Sequence, residues 1–431
     1  MLTTRYVREH LEEIKKSLEK RKSNYPIDEL VKLDDESKRI GTEAQQLRAK
    51  RNKGSMEIAQ QKKAGVEIGS AKKDELASIK ARIDEIEKQL AQYQERIDQL
   101  LWNLPNTLHE SVPYGKDDTE NKMVKEEGEA TKKQAVGHEE ALTKLGLLDL
   151  EQAAKVAGAR FFYLKGDLAL LEQALIRFAI TELTNKNYTL IAPPMLMKRE
   201  YYKGVTALAD FEDVLYKAAE SKESASKKDM EHIEDELFMI STSEHPMAAL
   251  HANTVFSPRD LPKKYIGFSP CFRREAGAHG KDTKGIFRVH QFYKIEQFAI
   301  STKDSWGIFD ELMGNAEDLF RKLKIPYRIV NICTGDIGTV AAKKYDLEAY
   351  MPSQGTYREM VSCSNCTDWQ SLRLDIKYDE GGERKYAHTL NSTAIATNRT
   401  IVAIVENYLN PDGTITIPDV LVPYMGKSRI A

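Results

Sequence analysis

Between Cys271 and Phe298 the sequence gathers side chains that could do chemistry together. Cys271-Phe272-Arg273-Arg274-Glu275 leads into a basic, glycine-bearing stretch (Gly277, Gly280, Lys281, Lys284, Gly285) and returns as Ile286-Phe287-Arg288-Val289-His290-Gln291-Phe292-Tyr293-Lys294-Ile295-Glu296. Two β-rich runs around a polar connection predict a hairpin with a long loop. The period of two puts Arg288, His290, Phe292, Lys294 and Glu296 on one face of the returning strand, and Arg273 with Glu275 on the outgoing one. Arginine and glutamate are rarely buried unpaired, so this face is either a solvated exterior or a ligand surface. Arginine forks bind phosphate or carboxylate, an aromatic ring stacks on a base, and a carboxylate holds an ammonium. Those parts suit ATP together with an amino acid.

Phe272-Arg273-Arg274-Glu275 followed by Arg288-Val289-His290-Gln291-Phe292 resembles motif 2 of the class II aminoacyl-tRNA synthetases, in the form typical of the seryl-tRNA synthetase family. Tyr188-Thr189-Leu190-Ile191-Ala192-Pro193-Pro194 resembles motif 1, which the class uses at its dimer interface, with Pro194 as the class proline and Asn187 where glycine is usual. His388 to Arg399 leads into a helical pattern through Ile401, Val402, Val405 and Tyr408 that stops at Asn410-Pro411. It resembles motif 3, on the strength of Arg399 and Asn391-x-Thr393, because Ala394, Ala396 and Asn398 stand where glycines are common. Ser241-Thr242-Ser243-Glu244 resembles the family's Thr-Ala-Glu serine-binding loop with Ser243 in place of alanine, and it reads equally as a helix capping box. Gly355 to Ser362 reads as a strand and resembles the family's Glu-x-x-Ser segment for magnesium and ATP.

The resemblance implies roles residue by residue. Arg273, Glu275 and Arg399 would be catalytic, and ATP would meet Arg273, Arg274, Glu275, Val289, Phe292, Glu359, Met360, Val361, Ser362 and Arg399. Serine would lie among Thr242, Ser243, Glu244, Arg273, Glu296, Asn391 and Thr393, with Glu296 on its ammonium, and Glu359 with Ser362 would hold Mg²⁺. Phe292 would stack on adenine, Arg273 would hold the α-phosphate and serine carboxylate, and Arg399 the γ-phosphate. Glu296→Ala is then expected to abolish serine activation with the fold intact. The implied reaction makes seryl-adenylate from L-serine and ATP, then transfers the seryl group to tRNA(Ser). Whether tRNA(Sec) is a second acceptor is left open.

The elements that must position these residues read as an α+β catalytic body, which by the resemblance is the class II antiparallel sheet flanked by helices. Phe161 to Leu164 reads as a strand, and Asp167 as the N-cap of a helix through Leu170, Leu171, Ala174, Leu175 and Phe178. Upstream, apolar residues recur at Leu76, Ile79, Ile83, Ile86, Leu90, Tyr93, Ile97, Leu100 and Leu104, with a weaker series at Leu30, Leu33, Ser37, Ile40, Ala44 and Leu47. Gly54, Gly65 and Gly69 interrupt the pattern between them. The spacing predicts two helices folded as an antiparallel coiled-coil hairpin. Arg48, Lys50, Arg51, Lys53, Lys62, Lys63, Lys72 and Lys73 gather toward its tip and suggest a phosphate-backbone grip, against a solvated face or an oligomerising coiled coil. In the family such an N-terminal arm holds the long variable arm of the tRNA.

The expected organisation is a tRNA-binding domain over 1–110, a linker over 111–121 after Leu104-Pro105-Asn106, and a catalytic domain over 122–431. Motif 1 falls around 187–196, motif 2 around 271–298 and motif 3 around 388–408, with a surface insertion over 217–236. The 431 residues have a formal net charge of -2, so any basic footprint is local. No apolar run approaches the roughly 18 residues of a membrane span and no signal-peptide core opens the chain, which points to a cytoplasmic protein, by class a homodimer. Four cysteines with a single CxxC, Cys363 to Cys366, fit reduced thiols better than a zinc ribbon. Three readings stay open: an ATP-dependent serine–tRNA ligase, a homologue that loads a carrier protein, and a catalytically silent RNA-binding or regulatory relative.

Overall fold

The computed structural model of the chain describes residues 2–65, 67, 69–130, 132–133, 135–207, 214–218, 236–275 and 284–431. The tip of the motif 2 loop, including Gly277, Gly280 and Lys281, and residues 219–235 of the expected insertion lie outside them. The chain divides into two compact units, Leu2–Leu104 and Pro105–Ala431. Among the described residues no helix is long and apolar enough to cross a membrane.

The first unit is built on α1 (Ile27–Lys63) and α2 (Ser70–Asn103), which pack on one another and span roughly 50–55 Å each at about 1.5 Å per residue. Their seam is the expected apolar series, with Leu30, Ile40, Ala44, Ile79, Ile83, Ile86, Ile97 and Leu100 buried. Ile40, Ala44 and Ile86 form its centre, flanked by Leu47, Leu90 and Tyr93. Arg96 to Glu29 (2.7 Å), Arg82 to Glu43 (2.9 Å) and Arg48 to Glu87 (2.7 Å) cross between the helices. Each is solvent-exposed, so screening by water keeps its contribution to stability small. Gly54 does not interrupt the helix. A Cβ there would stand 2.9 Å from Leu76 Cδ2, so the glycine admits close contact in α1, whereas Gly65 (φ +70°) makes the turn and Gly69 caps α2.

The second unit is organised by an eight-stranded sheet. Its strands are β1 (Lys122–Glu127), β2 (Thr189–Ile191), β3 (Lys263–Phe272), β4 (Gln291–Ser301), β5 (Tyr327–Asn331), β6 (Lys343–Met351), β7 (Thr356–Asn365) and β8 (His388–Ala396). They lie in the order β1-β5-β6-β7-β8-β4-β3-β2, antiparallel except that β2 runs parallel to β3. Helices α3 (Asp167–Thr184), α4 (Trp306–Lys322) and α5 (Thr397–Tyr408) bury Leu171, Leu175, Phe178, Phe309, Leu312, Phe320, Ile401 and Val405 in one core with the strand residues Ile295, Val361, Cys363 and Leu390. Alternate residues on these strands face the other way, and that second face carries the site.

Several local expectations are corrected. Gly166, at φ +54°, caps α3, and Asp167 is its first helical residue, bonded to Lys427 Nζ at 2.7 Å. The strand at 161–164 shrinks to Tyr163–Leu164. Asn187 sits at φ +65°, the left-handed region where glycine is at home and asparagine is the next best tolerated, which accounts for the exchange in motif 1. Within the expected linker, Val112 is buried with Val330, Ile332, Ile337 and Ala341. The four cysteines are free and buried.

Candidate active site

The period of two holds on β4 from Gln291 onward. Tyr293, Ile295 and Gln297 turn to the core, where Gln297 Nε2 donates to the carbonyl of Leu312 (3.0 Å), while Phe292, Lys294 and Glu296 line a cavity of about 550 Å³. Arg288 and His290 precede the strand. Ile286 and Phe287 are pinned instead by tertiary bonds, Asn398 Nδ2 donating to their carbonyls (2.9 and 3.2 Å) and the Ile286 amide to His138 Nε2 (3.3 Å). Arg288 reaches the cavity from there and pairs with Glu275 (Nη1 to Oε2 3.0 Å), whereas His290 turns its ring to the Arg273 carbonyl (2.8 Å) and to Phe161.

On β8, Thr393 and Asn391 share the cavity face with Glu296, and Thr393 Oγ1 donates to Glu296 Oε2 at 3.2 Å. Glu296 also pairs with Lys294 Nζ at 2.7 Å, with side chains 2% and 6% exposed. On β7 an alternating strand would place Glu359 and Ser362 on opposite faces. The register with β6 shifts there, Val361 opposite Leu347 and Glu359 opposite Glu348, so Met360 is an extra residue. This β-bulge turns Glu359 to the cavity beside Ser362 while Val361 stays in the core. Arg399, in the first turn of α5, binds Glu359 Oε1 at 3.1 Å and stands 5.1 Å from the Phe287 ring. Arg273 lies 5.3 Å from the Phe292 ring, its Nε donating to the Ser241 carbonyl (3.3 Å).

Thr242 and Glu244 line the cavity; Ser243 does not. Its hydroxyl donates to the Gly267 carbonyl (3.2 Å), and a Cβ on Gly267 would fall 2.5 Å from that oxygen. The glycine is therefore the dent that seats the loop and turns its neighbours inward. Ser243 makes no side-chain cap for the helix Glu244–Ala249, so the capping-box geometry is absent, and Thr242 Oγ1 accepts from the Glu244 amide (3.2 Å). Glu244 Oε1 accepts from Gln370 Nε2 (2.8 Å) and Asn391 Nδ2 (3.1 Å). Three further expected ATP residues stay out of the cavity: Val289 and Val361 are core, and Arg274 directs its amide to the Val214 carbonyl (2.8 Å).

Electrostatics separate the acids. Burial, with Glu296 alongside, pushes the Glu244 carboxyl up to about 7. Burial, reinforced by Lys294 and Arg273, takes His245 down to about 3, so this cavity histidine stays neutral and is no proton shuttle near neutrality. Burial opposes ionisation of Glu359, and Arg399, Lys344 and Arg273 outweigh it, holding the carboxyl below its ordinary range. Burial, with Glu359 nearby, raises Asp346 to about 7.

The family model for the "Seryl-tRNA synthetase N-terminal domain" matches residues 1–108, and that for the "tRNA synthetase class II core domain (G, H, P, S and T)" matches 226–408. A serine–tRNA ligase of Methanoculleus marisnigri is 48% identical over 438 residues, covering the whole of both chains. The chain belongs to the seryl-tRNA synthetase family. The crystal structure of the Pyrococcus horikoshii seryl-tRNA synthetase complexed with ATP superposes with a TM-score of 0.83 at 43% identity, covering 100% of this chain and 99% of that one. The Naegleria fowleri cytoplasmic enzyme in complex with AMP gives 0.79 at 37%, covering 97% and 95%. Within this seryl-tRNA synthetase fold the cavity gathers, of the expected residues, Thr242, Glu244, Arg273, Glu275, Phe292, Glu296, Glu359, Met360, Ser362, Asn391, Thr393 and Arg399. Lys344, Cys366 and the wall Gly338–Ala341 also line it and were not foreseen, and Lys294 lines it too, on the face where the period of two puts it but with no role assigned from sequence. Lys344, Cys366 and the Gly338–Ala341 wall carried no signal in the sequence.

The basic residues of the arm fall into two groups. Arg48 pairs with Glu87 (2.7 Å), Lys50 with Glu75 (2.9 Å) and Lys72 with Glu57, and Arg51 touches Asn52 Oδ1 at 3.5 Å. Lys53, Lys62, Lys63 and Lys73 are exposed and carry no ion pair among the described residues.

Proposed function

We infer that the chain is a serine–tRNA ligase, which activates L-serine with ATP and transfers the seryl group to tRNA. The observation that carries this reading is one cavity with two kinds of lining: Glu296, Thr393, Asn391 and Thr242, linked through the Thr393–Glu296 bond, and Arg399 paired with Glu359, with Arg273 lining the same cavity. The first set suits a small zwitterion with a hydroxyl; the second suits a polyphosphate.

The serine carboxylate attacks the α-phosphate in line, pyrophosphate leaves, and the 3′-terminal ribose hydroxyl of the tRNA then takes the seryl group as AMP leaves. No side-chain nucleophile is required; positioning and charge stabilisation supply the rate. Glu296 holds the serine ammonium and Arg273 spans the serine carboxylate and α-phosphate. Arg399 takes the γ-phosphate, Phe292 stacks on adenine, and Glu275, fixed by Arg288, positions the nucleotide. Glu359 and Ser362 present oxygens on one face, and one oxygen of buried Asp346 has no hydrogen-bond partner among the described residues. This hard-oxygen set fits Mg²⁺, and Glu359 with Ser362 would hold it. When bound, the ion neutralises charge on the phosphates. Hydrogen bonds to the serine hydroxyl would refuse alanine, and lack of room would refuse threonine.

Lys53, Lys62, Lys63 and Lys73 are the arm's contacts to the long variable arm of tRNA(Ser), whose A-form backbone suits recognition by charge and shape. The chain works in the cytoplasm as a homodimer joined around motif 1, where Leu190, Met195 and Leu196 are 45%, 52% and 38% exposed. The test is charging of tRNA(Ser) with labelled serine: full charging is expected, falling when the variable arm is deleted. Equal charging of the deleted tRNA would overturn the arm's role.

A further inference from the structure

Asn106 is a polar residue only 6% exposed, and no role assigned so far involves it. Strands β6 and β7 part beyond the bond from the Ala342 amide to the Asn365 carbonyl (2.8 Å), and Asn106 bridges the gap they leave. Its side-chain Nδ2 donates to the Val340 carbonyl at 2.9 Å and to the Cys366 carbonyl at 2.7 Å, which uses both amide hydrogens. Its backbone amide donates to the Thr339 carbonyl (2.8 Å), and Thr367 Oγ1 donates to its Oδ1 (3.3 Å).

Both bridged segments border the cavity. Thr339 to Ala341 form a wall, and Cys366 lines the cavity with its sulfur against Asn391 Nδ2 (3.5 Å), the same amide that holds Glu244. Thr367 adopts φ +44°, a conformation that a β-branched residue keeps only when its surroundings over-determine it. The surroundings here are Asn365 Oδ1 on its amide (2.9 Å), the Thr389 amide on its carbonyl (2.9 Å) and Asn106 on its hydroxyl.

We propose that Asn106 is a positioning residue for serine: by tying the Val340 and Cys366 carbonyls together it fixes the cavity wall and, through Cys366, the Asn391–Glu244 pair. The proposal rests on reading the lining around Asn391 and Glu244 as the serine site. Arg399 on α5 and Glu359 at the β7 bulge, read as the phosphate-binding pair, are bonded to each other and not to this clamp.

Serine-dependent ATP–pyrophosphate exchange by Asn106→Ala tests it, with KM measured separately for each substrate. A misplacement of up to about 1 Å predicts a serine KM raised on the order of 10- to 100-fold, with the ATP KM changed less than about twofold. Asn106→Ser, which keeps one donor, is expected to fall between, and it decides the matter where the alanine chain does not fold. A folded variant whose serine KM is unchanged, or whose two KM values rise together, overturns the positioning role while leaving the ligase reading intact. Absence of serine-dependent exchange in the unaltered chain would overturn both.

Discussion

Lys294 and Glu296 form an ion pair with almost no access to water, 2.7 Å apart with side chains 6% and 2% exposed. Removing either one leaves the other charged in a cavity wall. At this separation the attraction is about 6 kcal/mol for an effective dielectric of about 20, and breaking a buried pair destabilises by roughly 3–5 kcal/mol. Glu296→Ala is therefore expected to do more than stop serine activation: it weakens the fold as well, against the simpler expectation from sequence. Glu244, whose carboxyl is raised partly by Glu296 and lowered by Lys294, is placed to compensate, which puts Glu296→Ala toward the lower end, near about 3 kcal/mol. Lys294→Met should lie toward the upper end, and the double variant should lose no more than the worse single one. Urea unfolding followed by near-UV circular dichroism gives the cycle, with an expected coupling of about 3 kcal/mol or more. Single losses below about 1 kcal/mol, or additive losses, would refute the argument, because an exposed pair behaves that way.

Gly267→Ala should raise the serine KM by pushing Ser243 off the sheet, and Ser243→Gly in the same chain should restore it; steady-state exchange kinetics read both. Glu244 has its folded pKa raised to about 7 from an ordinary 4.5, so its contribution is complete below about pH 4.5 and is lost as pH rises through about 7. Glu244→Gln should therefore flatten the fall of stability across that window in denaturation measured pH by pH; an unchanged profile would contradict the assignment. Replacing Lys53, Lys62, Lys63 and Lys73 with alanine should weaken tRNA binding and lower the salt slope by up to about 0.9 for each lost phosphate contact. Pyrophosphate exchange without tRNA should not change.

The long-period features were legible in the sequence. The apolar seam of α1 and α2 repeats over many turns, and the period of two correctly put Phe292, Lys294 and Glu296 on one face. Local irregularity was not legible. Arg288 fell off the strand because Asn398 and His138, both distant in sequence, hold Ile286 and Phe287. Periodicity alone would have separated Glu359 from Ser362; the family pattern paired them, and the bulge at Met360 is the physical reason it holds. Ser243 occupied the right motif position yet faces Gly267, a contact with a strand more than twenty residues on. Gly54 read as a break because only Leu76 on the partner helix shows what its missing side chain makes room for.

The most direct test of the central claim is ATP–pyrophosphate exchange without tRNA, run with each amino acid in turn. The geometry around Glu296, Asn391, Thr393 and Thr242 predicts exchange with serine and background rates with alanine and threonine. Exchange driven by a different amino acid, or equally by alanine and serine, would contradict it.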